Sequence, residues 1–137
     1  MGNISREEFD EEEALKVFQE TIQNKTLNEE FQNLLKKTNQ IRFFEMYNDI
    51  KKFKRLDDER EREDDSKLFI IKFSKEIPKT INLKNKQIVD ENYFEELEIY
   101  SLEKLIRQHE KFRISKFYKD FQHGEQFKKE FDPKMDE

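Results

Sequence analysis

Two stretches decide how this chain folds: Ile41-Arg-Phe-Phe-Glu-Met-Tyr-Asn-Asp-Ile-Lys-Lys-Phe-Lys54 and Pro78-Lys-Thr-Ile-Asn-Leu83. In the first, Phe43, Phe44, Tyr47, Ile50 and Phe53 recur at helical intervals and cover a wide face. A face that wide packs on more than one neighbour. The second opens on a proline, which pushes the residue before it out of the helical region, so it reads as a loop held between helices. Asn82 offers a polar amide on that loop, and rigid helices that present polar loop groups are suited to gripping a partner.

The rest of the composition agrees with a helical chain. Only two Gly and two Pro occur in 137 residues, too few for repeated hairpins and tight turns. Charged residues make up 43% and apolar residues 34%, a balance that leans toward disorder. Fourteen Phe and four Tyr oppose it, because each ring buries roughly 150–250 Å². One domain is expected, with a small Phe-dominated core under a charged skin. Its expected extent is 1–124, followed by a tail over 125–137.

Outward from the two stretches, Ser5-Arg-Glu-Glu8 has the spacing of a capping box and predicts a helix over 5–23, with Phe9, Leu15, Phe18 and Ile22 as its stripe. Thr26-Leu-Asn-Glu29 is a second box, opening a helix with Leu27, Phe31, Leu34 and Leu35. Lys37-Thr-Asn-Gln40 reads as a loop in which Thr38 or Asn39 caps the helix over 41–56. Residues 57–65 are nine consecutive charges and read as an exposed loop or a solvated helix end. Helical spacing returns over 66–76, Asn85 is a candidate cap for a short helix bearing Ile88 and Val89, and 93–109 is apolar around much of its circumference. A last helix holds Phe112, Ile114, Phe117, Tyr118 and Phe121, with Gly124 suited to the left-handed position after its end. The sum is seven or more helices of unequal length, an all-α irregular bundle.

Several functions are disfavoured. The net charge of −5, with 27 bases mixed among 32 acids, opposes general nucleic-acid binding. The absence of Cys excludes a disulfide scaffold and thiolate zinc, and fits a reducing compartment. No apolar run approaches the roughly 20 residues that span a bilayer, and no signal-peptide core follows Met1, so a soluble cytoplasmic protein is expected. Met1-Gly-Asn-Ile-Ser-Arg6 departs from a myristoylation motif at Arg6. No phosphate-cradling loop, zinc-protease helix or nucleophile elbow occurs. Asp120-x-x-His123 sets a carboxylate and an imidazole on one face, yet a di-metal bundle needs two such pairs and further Glu. The chain is therefore expected to be no enzyme itself, and to hold no metal or cofactor.

The ordered segments resemble the regulator of G-protein signalling (RGS) domain family. Lys37-Thr-Asn-Gln40 followed by Ile41-Arg-Phe43-Phe44 and Lys51-Lys52 is similar to that family's Ser-Glu-Glu-Asn loop and aliphatic-x-Phe-Trp helix ending in Lys-Lys. Phe69 to Phe73 with Lys79-Thr-Ile-Asn82-Leu83 resembles its aromatic-x-x-Phe helix and Lys-Glu-aliphatic-Asn-aliphatic loop, and is the most specific piece. Phe94-Glu-Glu-Leu97 resembles Phe-Asp-Glu-Ala, and Glu110-Lys-Phe112 with Phe117-Tyr-Lys-Asp120 resembles the family's closing motif if two residues are inserted. The similarity covers 27–122.

The resemblance implies an RGS-like bundle with a central four-helix bundle, and GTPase activation of the GTP-bound Gα subunit of a heterotrimeric G protein. Gα supplies its arginine in cis and a glutamine that orients water, so a partner accelerates hydrolysis by holding these groups in place. By the same resemblance Asn82 contacts the switch region, Leu83 packs the loop, and Asn39 and Gln40 stand for the Glu-Asn pair. Glu110 matches the contact acid, and Arg113 or Lys116 the arginine after it. Recruitment to the inner face of the plasma membrane through Gα is implied too. Asn39 in place of an acid and Lys84 where Asp is common leave an alternative, an RGS-like adaptor that binds Gα or another signalling protein without activating it.

Overall fold

A computed structural model describes residues 10–83 and 88–131, with backbone alone for 126–131. Among the described residues there are six helices and no strands: α1 (Glu11–Gln23), α2 (Lys25–Lys37), α3 (Ile41–Lys54), α4 (Glu59–Lys72), α5 (Glu95–Arg113) and α6 (Lys116–Phe131). The all-α class expected from composition is observed.

Short polar side chains set the helix ends. Asp10 starts α1 by accepting from the Glu12 and Glu13 amides at 3.0 and 3.2 Å; the Ser5 box lies outside the described residues. A single residue, Asn24, separates α1 from α2. Its side chain accepts from the Leu27 amide at 3.0 Å, so α2 begins before Thr26, and the Thr26 box is interior to the helix. The winning cap is the residue that also ends α1, its own amide donating back to Glu20 and Thr21.

The charge run is largely helical. Asp58 accepts from the Arg60 amide at 2.9 Å, and Glu59 onward forms the first turns of α4, where acids oppose the positive helix end. That helix stops at Lys72, well before Pro78, because another helix takes its terminal carbonyl: Arg42 on α3 donates to the Lys72 oxygen at 2.6 Å. Arg42 also pairs with Glu45 and Glu76 and lies 4.7 Å from the Phe73 ring centre. The expected short helix at Asn85 falls partly outside the described residues, and Ile88 and Val89 are not helical.

Gly124 does not end the last helix, which continues to Phe131. It has no positive φ, and a Cβ there would meet no heavy atom within 4 Å. Gly124→Ala should therefore stabilise the chain by up to about 1 kcal/mol, since alanine loses less freedom in a helix. A melt followed by circular dichroism should rise by roughly 3–5 °C, and a fall would contradict the helical placement.

The chain divides into two compact units, Gln32–Leu105 and the pair of segments Met1–Phe31 and Ile106–Glu137. In Gln32–Leu105, Met46, Ile50 and Phe53 from α3 meet Phe69 and Phe73 at the end of α4, with Leu83, Tyr93, Phe94 and Leu97 closing the core. Phe94 sits among three rings, 4.8 Å from Phe53, 4.3 Å from Phe69 and 4.9 Å from Tyr93 between centres. In the other unit Phe18, Phe31, Phe112 and Tyr118 surround His109 at 5.2–6.1 Å. His109 is fully buried, and a 2.7 Å hydrogen bond joins its Nε2 to Thr21 Oγ1.

Candidate functional site

The loop that carries Asn82 is fastened from beneath. The Ile81 amide donates to the Pro78 carbonyl at 3.1 Å and closes a turn, after which Ile81 packs against the core and Leu83 is buried. The Tyr93 hydroxyl then donates to the Leu83 carbonyl at 2.8 Å. Burial raises the Tyr93 pKa, so the phenol stays a donor through neutral pH. Asn82 is exposed between two inward-facing aliphatics. Leu83 belongs to the loop's footing and has little surface to offer a partner.

Asn39 and Gln40 lie together in the 38–40 connection, in a form set by the preceding helix. Asn39 has a φ of 58°, the left-handed region that asparagine tolerates better than most residues. Its amide donates to Lys36 at 3.3 Å and the Gln40 amide to Leu35 at 2.7 Å, which is the paired Schellman closure of a helix C-terminus. Thr38 Oγ1 donates to Leu34 at 3.0 Å. Thr38 and Asn39 thus finish α2 and do not start α3; Gln40 stands at the N-cap of α3 with no side-chain cap bond. The competing demand was the orphan carbonyls of α2. Asn39→Val should cost about 1–2 kcal/mol because a β-branched residue resists positive φ, whereas Asn39→Gly should be nearly neutral in urea unfolding. Equal losses in both would remove the backbone role.

Glu110, Arg113 and Lys116 belong to the other unit. Arg113 reaches Glu110 at 3.1 Å and Glu13 at 3.5 Å, so the matched acid and base are paired with each other. Lys116 contacts Asp120 at 3.3 Å on an almost fully exposed side chain, a pair worth at most about 1 kcal/mol. Ser115 between them accepts the Tyr118 amide at 3.2 Å and starts α6.

A further feature was not singled out in the sequence: a cleft between α3 and α4 lined by Asp49, Lys52, Phe53, Leu56, Asp65, Leu68, Phe69 and Lys72. Its signal in the sequence was present but faint, namely that Leu68 and Ile71 are surplus to the inward face set by Phe69 and Phe73. Among the described residues no cluster of three or more His, Cys, Asp or Glu could hold a metal ion. No described helix is long and apolar enough to cross a membrane. No protein-family model, curated protein or solved structure matches the chain.

Proposed function

We propose that this chain is an RGS-like domain that accelerates GTP hydrolysis by a heterotrimeric Gα subunit, holding the switch regions in their transition-state arrangement. The observation that carries the reading is the Asn82 amide on a loop whose neighbours are packed on the core, Ile81 partly buried and Leu83 buried. A partner that donates no catalytic group must be stiff where it touches, because a loosely held amide loses its advantage to entropy on binding. The element order supports the same reading: a short loop before α3, Phe69 and Phe73 at the end of α4, the Asn82 loop, and then the long α5. Such a protein works in the cytoplasm and reaches the inner face of the plasma membrane through Gα.

The test is single-turnover GTP hydrolysis by Gα subunits of each class, with and without the protein. Acceleration is expected, and Asn82→Ala should reduce it roughly 5–150-fold, the loss of a contact worth about 1–3 kcal/mol in the transition state. An alanine variant as active as the parent, or no acceleration of any class, would overturn the mechanism.

The adaptor reading is favoured by one observation, the use of Asn39 as a left-handed helix terminator in the place of the family's acidic contact. An activator binds the aluminium-fluoride form of Gα more tightly than the GDP form or the form with a stable GTP analogue, while a simple adaptor lacks that preference.

A further inference from the structure

His109 is enclosed by Phe18 on α1, Phe31 on α2, Phe112 on α5 and Tyr118 on α6, all within the unit formed by Met1–Phe31 and Ile106–Glu137. Among the described residues it is the one fully buried side chain that titrates between pH 4 and 7, and no carboxylate is buried. Thr21 holds its Nε2, while Nδ1 is buried with no partner among the described residues. Protonation makes both ring nitrogens donors. Thr21 accepts from one, and the other becomes a buried N–H of a cation with nothing to receive it, which costs more than an unpaired neutral group.

The charges on the surrounding helices do not rescue that cation. On α1, Glu13 reaches Arg113 at 3.5 Å and Glu20 is exposed. On α2, Lys25 and Glu29 are exposed and Glu30 is partly buried. On α5, Glu110 is bound to Arg113 at 3.1 Å, and on α6 Lys116 pairs with Asp120 at the surface beside exposed Lys119. Burial, and then the Arg113 charge, hold the imidazole pKa down at about 4. The Gln32–Leu105 unit responds to acid differently. Its fully buried polar side chains are Ser66 and Ser101, which do not titrate. Burial and the Asp49 charge raise the Asp65 pKa against the opposing Lys72. A carboxyl whose folded pKa is raised binds its proton more readily folded than unfolded, so at Asp65 acid favours the closed form.

We propose that the unit formed by Met1–Phe31 and Ile106–Glu137 is an acid-operated latch, which opens on protonation of His109 and uncovers Phe18, Phe31, Phe112 and Tyr118 while the Gln32–Leu105 unit stays closed. The open form takes up its proton near pH 6.5 and the closed form resists until about 4. Between those limits each pH unit multiplies the open fraction about tenfold. Parts of a fold open at free energies below that of global unfolding, in contiguous cooperative groups. Here the boundary between the groups falls inside α2 and α5, so release frays the first half of α2 and the last turns of α5. A general loss of stability would be shared by every helix, whereas a latch is confined to one set. The four rings then present an apolar surface that neutral pH conceals. The device does not depend on the GTPase reading.

The test is amide hydrogen exchange of the full chain, followed residue by residue by NMR from about pH 7 to 4.5, a range that ends above the usual carboxylate pKa values. Rates are corrected for intrinsic exchange at each pH, so that protection reports the open fraction. Protection across α1 and α6 should fall about tenfold per pH unit below 6.5, and roughly 100-fold by pH 4.5. Amides of α3 from Met46 to Phe53 should keep theirs. Equal falls in α3 and α1 would make the acid response global and overturn the latch, as would unchanged protection in α1 and α6. His109→Gln cannot titrate, so it should abolish the pH dependence in α1 and α6; a variant that retains it assigns the opening to other groups and overturns the proposal. The comparison between helices of the parent needs no variant, so it decides the matter even if His109→Gln folds poorly.

Discussion

Replacing Phe94 with alanine should destabilise the Gln32–Leu105 unit by about 3–5 kcal/mol, the largest effect of any single truncation considered for this chain. Phe94 is 1% exposed, and it touches rings from three parts of the chain: Phe53 on α3, Phe69 on α4 and the adjacent Tyr93. Removing it deletes the transfer energy of a full aromatic side chain and leaves a cavity that three helices would have to close together. Typical domains have only about 5–15 kcal/mol in total, so most of the margin goes. Urea unfolding followed by circular dichroism should show a lowered midpoint, with Phe94→Leu intermediate and Ile71→Ala, which truncates an exposed side chain, near the parent. A midpoint for Phe94→Ala within the range of the Ile71 variant would refute the packing described for this core.

Acidification from pH 6.5 to 4 should remove up to roughly 3 kcal/mol of stability through His109 alone. Burial, and then the nearby Arg113 charge, lower its pKa to about 4, and its Nδ1 is buried without a hydrogen-bond partner among the described residues. The sign follows from the two states. Unfolded His109 takes up a proton near pH 6.5 whereas folded His109 resists until about 4, so the unfolded state binds more protons in that window and stability falls as pH falls. The contribution is fully present above pH 6.5 and constant below 4. His109→Gln keeps a polar partner for Thr21 and cannot titrate, so stability measured against pH should fall less steeply for the variant than for the parent. Parallel curves would rule out His109 as a source of acid lability.

What the sequence disclosed and what it hid follow from how far each interaction reaches. Helix α3 was legible because Phe43, Phe44, Tyr47, Ile50 and Phe53 carry their periodicity within four turns. The charged start of α4 was not, since Glu59 to Asp65 show no apolar rhythm and their helicity rests on an Asp58 cap and on the core contacts of Ser66 and Phe69 downstream. The end of α4 is written on another helix, where Arg42 takes the Lys72 carbonyl across 30 positions. The buried role of His109 was not legible, because its partner Thr21 is 88 positions away. Gly124 read as a stop since glycine favours helix ends, yet a helix tolerates it at about 1 kcal/mol. At the candidate site, Asn82 and its loop were readable from Pro78 and the aliphatics around it. The use of Asn39 to finish α2 was not, because its left-handed backbone answers carbonyls whose positions only the folded helix defines.

The alternation at 81–83 has a practical consequence for anyone wishing to change what this chain recognises. Ile81 and Leu83 are committed to the interior and the Leu83 carbonyl to Tyr93, whereas Lys79, Thr80 and Asn82 are exposed. Foldability and display are therefore written on alternate letters of one short ribbon. A library randomised at 79, 80 and 82, with 81, 83 and 93 held fixed, would diversify the outward chemistry while its members kept a common scaffold.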